Sequence, residues 1–268
     1  MKMEQAVLAA ANRRTFLKGA GLAGLGIASV AVVGSEFGVN EQKVEAASVS
    51  DVDVLNFALN LEYLEAEFYA VATYGATLVQ LGVISSLDQT GPTTGGHMVP
   101  GFANLPEAFL ASALRIDEIK HVMFLRSALG SSAVKKPRIN LDALGYGFAN
   151  VNDWLKLARQ FEDVGVSAYL GAAPLINTSP YLPAAAAILG TEAQHSGSIR
   201  TVCIMNGVSS PAVDSLDVPP TPQEPYAVDK NALSIPRTTA QVLSIVYAGG
   251  RSSGGFYPEG MNGAITSY

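Results

Sequence analysis

Two of the chain's three histidines stand three residues after a glutamate, at Glu118/His121 and Glu192/His195. Two more glutamates, Glu62 and Glu162, each stand seven residues before a tyrosine, Tyr69 and Tyr169, within stretches whose apolar residues recur at helical spacing. Residues three apart on a helix point to one side, so each Glu/His pair converges on one place. Four helices must face a common axis for the whole set to meet, which is the ligand arrangement of a dinuclear metal site inside a four-helix bundle. Thirteen glutamates in 268 residues put one at any given offset roughly one time in twenty. Accident is therefore a poor explanation for two Glu-x-x-His pairs together with a matched Glu/Tyr pair.

The apolar periodicity places these residues. A first helix is predicted over 51–81, with Leu55, Leu59, Glu62, Ala66, Tyr69 and Thr73 on one face, Ser50 and Asp53 as a capping pair and Gly82 at its end. On this register Glu65 and Glu67 are flanking or outward groups. A second helix opens at Asn104, with Pro106 in its first turn and Glu107 as capping partner, and carries Ala111, Leu114, Glu118, His121 and Leu125 toward Gly130. A third runs from Asn150, with Asp153 as capping partner, through Leu155, Ala158, Glu162, Val166 and Tyr169 to a stop at Pro174. A fourth starts at Ser179-Pro180, carries Ile188, Glu192, His195 and Ile199, and ends before Gly207.

These helices are two copies of one hairpin. Leu55, Glu62 and Tyr69 align with Leu155, Glu162 and Tyr169 at a shift of 100, and Leu114, Glu118 and His121 with Ile188, Glu192 and His195 at a shift of 74. The segment 130–150 serves as a crossover along the bundle, and 82–103 is long enough to pack over one end. After Gly207, Pro211, Pro219, Pro220, Pro222 and Pro225 exclude helix and central strand, leaving an extended wrapping segment or partly mobile linker. A short fifth helix is predicted over 237–248, and the aromatics of Gly255-Phe256-Tyr257-Pro258 favour a docked carboxy-terminal cover over a free tail.

An apolar fraction of 49% supports a sizeable core, and a formal charge of −6 argues against a nucleic-acid surface. The short run Lys135-Lys136-Pro137-Arg138 reads as solvated loop. Cys203 is the single cysteine, which leaves no intrachain disulfide and suggests a buried small side chain. Residues 1–46 read as an address: Asn12-Arg13-Arg14-Thr15-Phe16-Leu17-Lys18 precedes a Gly/Ala-rich apolar stretch, and Val44-Glu45-Ala46 offers a cleavage site. The paired arginines resemble a bacterial twin-arginine signal. Export to the periplasm or outside the cell by that machinery follows, with an uncleaved membrane-anchored form as the alternative. Removing these residues leaves the mature chain near −7. The expected division is thus a signal over 1–46, a four-helix bundle over 47–207 and a proline/glycine-rich extension over 208–268.

Four carboxylates on core faces repel one another and lose hydration, so without cations they must retain protons, and bound cations reverse that logic. Glu62, Glu118, His121, Glu162, Glu192 and His195 are accordingly the candidate metal-ligating and catalytic residues. Oxygen and nitrogen donors without a thiolate suit two iron or two manganese ions, and zinc also fits. Tyr69 and Tyr169 are either aromatic fillers or hydrogen-bond donors to carboxylates across the bundle. Asp117 and Glu65 are assigned supporting or surface positions, His97 a structural or exposed one, and Trp154 a packing role.

The run Leu55-Asn56-Phe57-Ala58-Leu59-Asn60-Leu61-Glu62-Tyr63-Leu64-Glu65-Ala66-Glu67-Phe68-Tyr69, both Glu-x-x-His motifs and Gly255-Phe256-Tyr257-Pro258-Glu259-Gly260-Met261-Asn262-Gly263 resemble the ferritin-like superfamily. Within it, the resemblance is to exported ferritin-like proteins related to plant desiccation-related proteins. It implies an all-α ferritin-like four-helix bundle whose carboxylate-bridged dimetal centre, held by the six residues above, reacts with dioxygen or hydrogen peroxide in stress protection. Two alternatives stay open: manganese catalase-like dismutation of peroxide, and a non-enzymatic, metal-stabilised desiccation or stress protein. A homo-oligomer is compatible with the motifs, which do not encode its interfaces.

Overall fold

The computed structural model describes residues 49–102, 106–177 and 181–268. The signal over 1–46, the cap at Asn104 and the helix start at Ser179-Pro180 lie outside the described residues. Four long helices form the bundle: α1 (Asp51–Tyr74), α2 (Pro106–Leu129), α3 (Val151–Ala172) and α4 (Tyr181–Met205). A short α5 (Thr239–Val246) follows the proline-rich segment. Helix α1 packs along α2, and α3 along α4, so each half of the repeat is one hairpin. The described residues form an all-α four-helix bundle, as the motif spacing required.

Local chemistry sets the helix ends. Ser50 and Asp53 form a reciprocal capping box on α1, Asn150 caps α3 by accepting from the Asp153 amide, and Thr238 with Gln241 forms a second box on α5. The first helix is shorter than its periodicity predicts. Gly75 adopts φ 65° and returns its amide to the Val71 carbonyl, which ends α1 at Tyr74 rather than Leu81. The apolar pattern continues because Leu78 is fully buried from the following turn, its amide bonded to Glu67 Oε2.

The two long connections are stitched together. Strand β1 (Thr93–Thr94), in the loop after α1, pairs in parallel with β2 (Ile139–Asn140) in the crossover. Lys136 lies beneath this junction, fully buried, its Nζ bonded to Gly91 O, Thr93 Oγ1 and Pro137 O and 3.8 Å from Glu67. The run 135–138 is therefore no solvated loop at Lys136, and Glu67 is no outward group: each neutralises the other in the core.

Buried arginines fasten the proline-rich segment to the second hairpin. Arg159 pairs with Asp217 and donates to the Pro211 carbonyl, Arg200 pairs with Asp163 and donates to Val218 and Pro225 carbonyls, and Arg237 joins Asp214 to Ser167. Prolines donate nothing to a ladder, but their carbonyls still accept, and guanidinium forks supply the donors. The tail docks as a cover: Phe256 packs edge-on to Phe161, and Tyr257 donates to the Asn60 carbonyl in mid-α1. Covered by partners on all sides, α1 is buried continuously from Val54 to Ala72. Trp154 and Cys203 are buried as expected.

Candidate metal centre

Each long helix contributes at the same depth. Glu62 comes from α1, Glu118 and His121 from α2, Glu162 from α3, and Glu192 and His195 from α4. All four carboxylates are fully buried, and the histidines are only 9% and 7% exposed. Two groups of donor atoms result, Glu62/Glu118/His121/Glu192 and Glu118/Glu162/Glu192/His195, each with its atoms within 4.8 Å of one another. Glu118 and Glu192 belong to both. The geometry thus has two lobes, each with its own glutamate and histidine, and two shared carboxylates between them.

The histidines present Nδ1 inward. His121 Nδ1 lies 3.2 Å from Glu62 Oε2, 3.1 Å from Glu118 Oε2 and 3.2 Å from Glu192 Oε1. His195 Nδ1 lies 2.8 Å from Glu118 Oε1 and 3.4 Å from Glu162 Oε2. Glu118 therefore reaches one histidine with each oxygen. Among the described residues, Glu118 Oε1, Glu162 Oε2, both Glu192 oxygens and His195 Nδ1 nevertheless have no hydrogen-bond partner. Buried polar atoms left so need another partner, and their convergence fits metal ions as that partner.

The outer oxygens are accounted for by a crossed pair of tyrosines. Tyr69 on α1 donates to Glu162 Oε1 on α3, and Tyr169 on α3 donates to Glu62 Oε1 on α1 at 2.5 Å. Both rings are buried. Tyr69 and Tyr169 are thus donors to carboxylates across the bundle as well as fillers, and each fixes which oxygen of its glutamate faces the centre.

Protons carry the charge balance in the metal-free cluster. Burial raises the Glu118 carboxyl to about 7, with Glu62 adding to the shift and the histidines opposing it. Glu192 is pushed well above the carboxylate range by burial and then by Glu118. Burial lowers His195, but the carboxylates of Glu118 and Glu162 outweigh it and hold the imidazole up to about 11. His121 is raised in the same way by Glu118, Glu192 and Glu62, again against burial. Burial also raises Glu62, yet His121 more than offsets this and leaves it below its ordinary value.

Glu65 departs from expectation. It is buried rather than outward, and burial followed by the charges of Glu192, Glu118, Glu162 and Glu62 drives its pKa well above the ordinary value, so it lies beside the two donor groups without entering either. The available signal was its spacing, since Glu62 and Glu65 are three apart like both Glu/His pairs. Asp117 sits at the rim, its side chain 40% exposed and 3.6 Å from His195 Nε2. His97 is remote, an exposed ring beside Phe148. Clefts of about 210 and 410 Å³ elsewhere on the second hairpin include none of the six candidate ligands. The centre is enclosed, and its slight exposure falls on the two histidines.

Comparison with known proteins agrees with this architecture. A family model described as a ferritin-like domain matches residues 50–204, more than half of the chain. The desiccation-related protein PCC13-62 of Craterostigma plantagineum is 26% identical over 170 residues, covering 57% of this chain and 53% of that protein. The chain thus spans about half the length of that relative. The ferritin-like catalase Nec2 of Nesocodon mauritianus is 24% identical over 271 residues, covering 81% of this chain and 85% of that protein.

Proposed function

We propose that this chain, which belongs to the ferritin-like family, is an exported dimetal-carboxylate protein that reacts with dioxygen or peroxide in stress protection. The observation that carries the reading is the pair of four-residue donor groups sharing Glu118 and Glu192, with five of their buried atoms lacking any hydrogen-bond partner. Glu62 with His121 and Glu162 with His195 would hold one ion each, and Glu118 and Glu192 would lie between them. A bound pair of iron or manganese ions supplies the redox chemistry.

The chain's own residues prepare the site for it. Tyr69 and Tyr169 hold the outer oxygens of Glu162 and Glu62, leaving each Oε2 turned to the histidine of its lobe. Helical packing fixes the six side chains before any ion arrives, which limits the ordering cost of binding. Phe68 and Trp154 pack on the Tyr69 ring, and full burial of the four carboxylates keeps bulk water from them and strengthens the electrostatic contacts inside. The two histidines carry what exposure the six residues have, so dioxygen or peroxide would enter along that edge.

A second reading, manganese catalase-like dismutation of peroxide, draws on the similarity to the ferritin-like catalase across most of both chains. A third, a metal-stabilised stress protein without turnover, draws on the desiccation-related relative. Elemental analysis of protein from its native compartment, then anaerobic loading with ferrous or manganous ion and a dioxygen or peroxide challenge, separates the three. Two ions per chain with rapid oxygen consumption are expected. Peroxide turnover with manganese alone would favour the second reading, and bound metal without turnover the third. No bound metal, with no change in Glu118→Ala or His195→Ala, would sink all of them. Cell fractionation with an Arg13→Lys, Arg14→Lys pair tests the export route, which predicts retention of the variant in the cytoplasm.

A further inference from the structure

Three of the four bundle helices carry donor pairs three residues apart: Glu118/His121, Glu192/His195 and, on α1, Glu62/Glu65. On α3 the place three residues after Glu162 belongs to Gly165. This glycine sits inside a regular right-handed helix, where alanine would be the more stable residue, so backbone conformation gives no reason for it.

Space gives the reason. A Cβ at position 165 would stand 2.8 Å from Glu192 Oε2 and 3.1 Å from Glu65 Oε1. The first distance is shorter than a real Cβ contact, and the second is tight. The missing side chain is therefore room for two carboxylates, one from each half of the repeat. Glu65 is only 5% exposed, and among the described residues nothing donates a hydrogen bond to it. Both oxygens of the fully buried Glu192 beside it also have no donor. Two carboxyls reach one hollow with no other side chain donating to them among the described residues, and together they offer a cation oxygens from both halves of the repeat.

We propose that Glu65 is a fifth carboxylate of the metal centre, seated beside Glu192 in the hollow that Gly165 leaves. The inference rests on the dimetal reading and extends it. Four carboxylates and two neutral imidazoles balance two divalent ions. A fifth carboxylate carries the ligand set past that balance and tightens its hold on the cations. Pseudo-symmetry is broken by it, because one face of the centre gains an oxygen donor that the matching position on α3 cannot supply.

Manganous ion binding to the full chain, followed by isothermal titration and by the electron paramagnetic resonance spectrum of the loaded protein, tests the proposal. Glu65→Gln keeps the shape and removes the charge. It should lower the affinity for at least one of two manganous ions about tenfold or more and alter the spectrum, while the metal-free protein melts no lower than wild type. Gly165→Ala keeps every carboxylate but fills the hollow, and should weaken binding in the same direction, which decides the matter if the first variant does not fold. Wild type binding two ions, with both variants matching its affinity and spectrum, overturns this proposal alone. Wild type binding none overturns the dimetal reading and this proposal with it.

Discussion

Tyr69 and Tyr169 show how much one hydroxyl decides at the residue scale. Each spans the bundle to the glutamate of the opposite hairpin, so each half orients a carboxylate of the other. Tyr169→Phe leaves Glu62 Oε1 buried without its donor, and manganous or ferrous affinity should fall about tenfold or more, measured by competition with a chelating dye. Proton balance gives a second expectation. Raised pKa values mean that the fold favours the protonated forms. The contribution of Glu118 is complete below its ordinary 4.5 and lost as pH rises through about 7, and that of His195 is complete below 6.5 and lost through about 11. The metal-free protein should therefore melt lower at about pH 9 than at about pH 5. Metal affinity should run the other way and rise with pH, because ions displace those protons. Scanning calorimetry across the pH range, with and without metal, checks both signs.

The helices were legible in the sequence where caps and periodicity agreed. Ser50/Asp53 and Asn150/Asp153 mark starts that the structure keeps, whereas the Thr238/Gln241 box that opens α5 at Thr239, two residues after the predicted start, emerges only in the structure. Periodicity failed at the end of α1 because burial does not require helix: Leu78 fills a core position from a turn that Gly75 begins. The charged residues misled for a related reason, since Lys136 and Glu67 bury each other although a one-dimensional pattern places charges outside. The proline-rich segment depends on contacts that sequence distance hides. Arg200→Ala would strand Asp163, which burial already raises despite Arg200 and Arg159. Loss of one partner of a buried pair costs about 3–5 kcal/mol, and Arg159 at 3.5 Å from Asp163 favours the lower end. Hydrogen exchange should show faster opening across 208–236 in that variant, with the α1–α2 hairpin little changed.

For the whole molecule, metal and tail both act on stability. If two ions bind the native state alone, each adds about 2.7 kcal/mol at a free concentration one hundred times its dissociation constant. The melting midpoint should rise with metal concentration and return on chelation. The carboxy-terminal tail contributes through burial: Phe256, Tyr257 and Met261 are 2%, 0% and 6% exposed. Fully burying such a side chain is worth about 1.5–3 kcal/mol. Truncation after Gly249 should therefore lower the midpoint by about 10 °C or more in a thermal melt, through loss of the packing that covers α1.

The sequence alone determined the bundle and its six candidate ligands, because helical spacing turns offsets of three and seven into shared faces, and the repeat turns two faces into four. It also determined the starts of α1 and α3, which depend on neighbours within one turn. Only the tertiary structure decided which oxygen meets which nitrogen, that the tyrosines cross between halves, and that Glu65 and Glu192 both reach the space at Gly165. Those facts depend on distances between residues about one hundred positions apart in the chain. Periodicity tells which way a side chain points; close packing decides what it meets there.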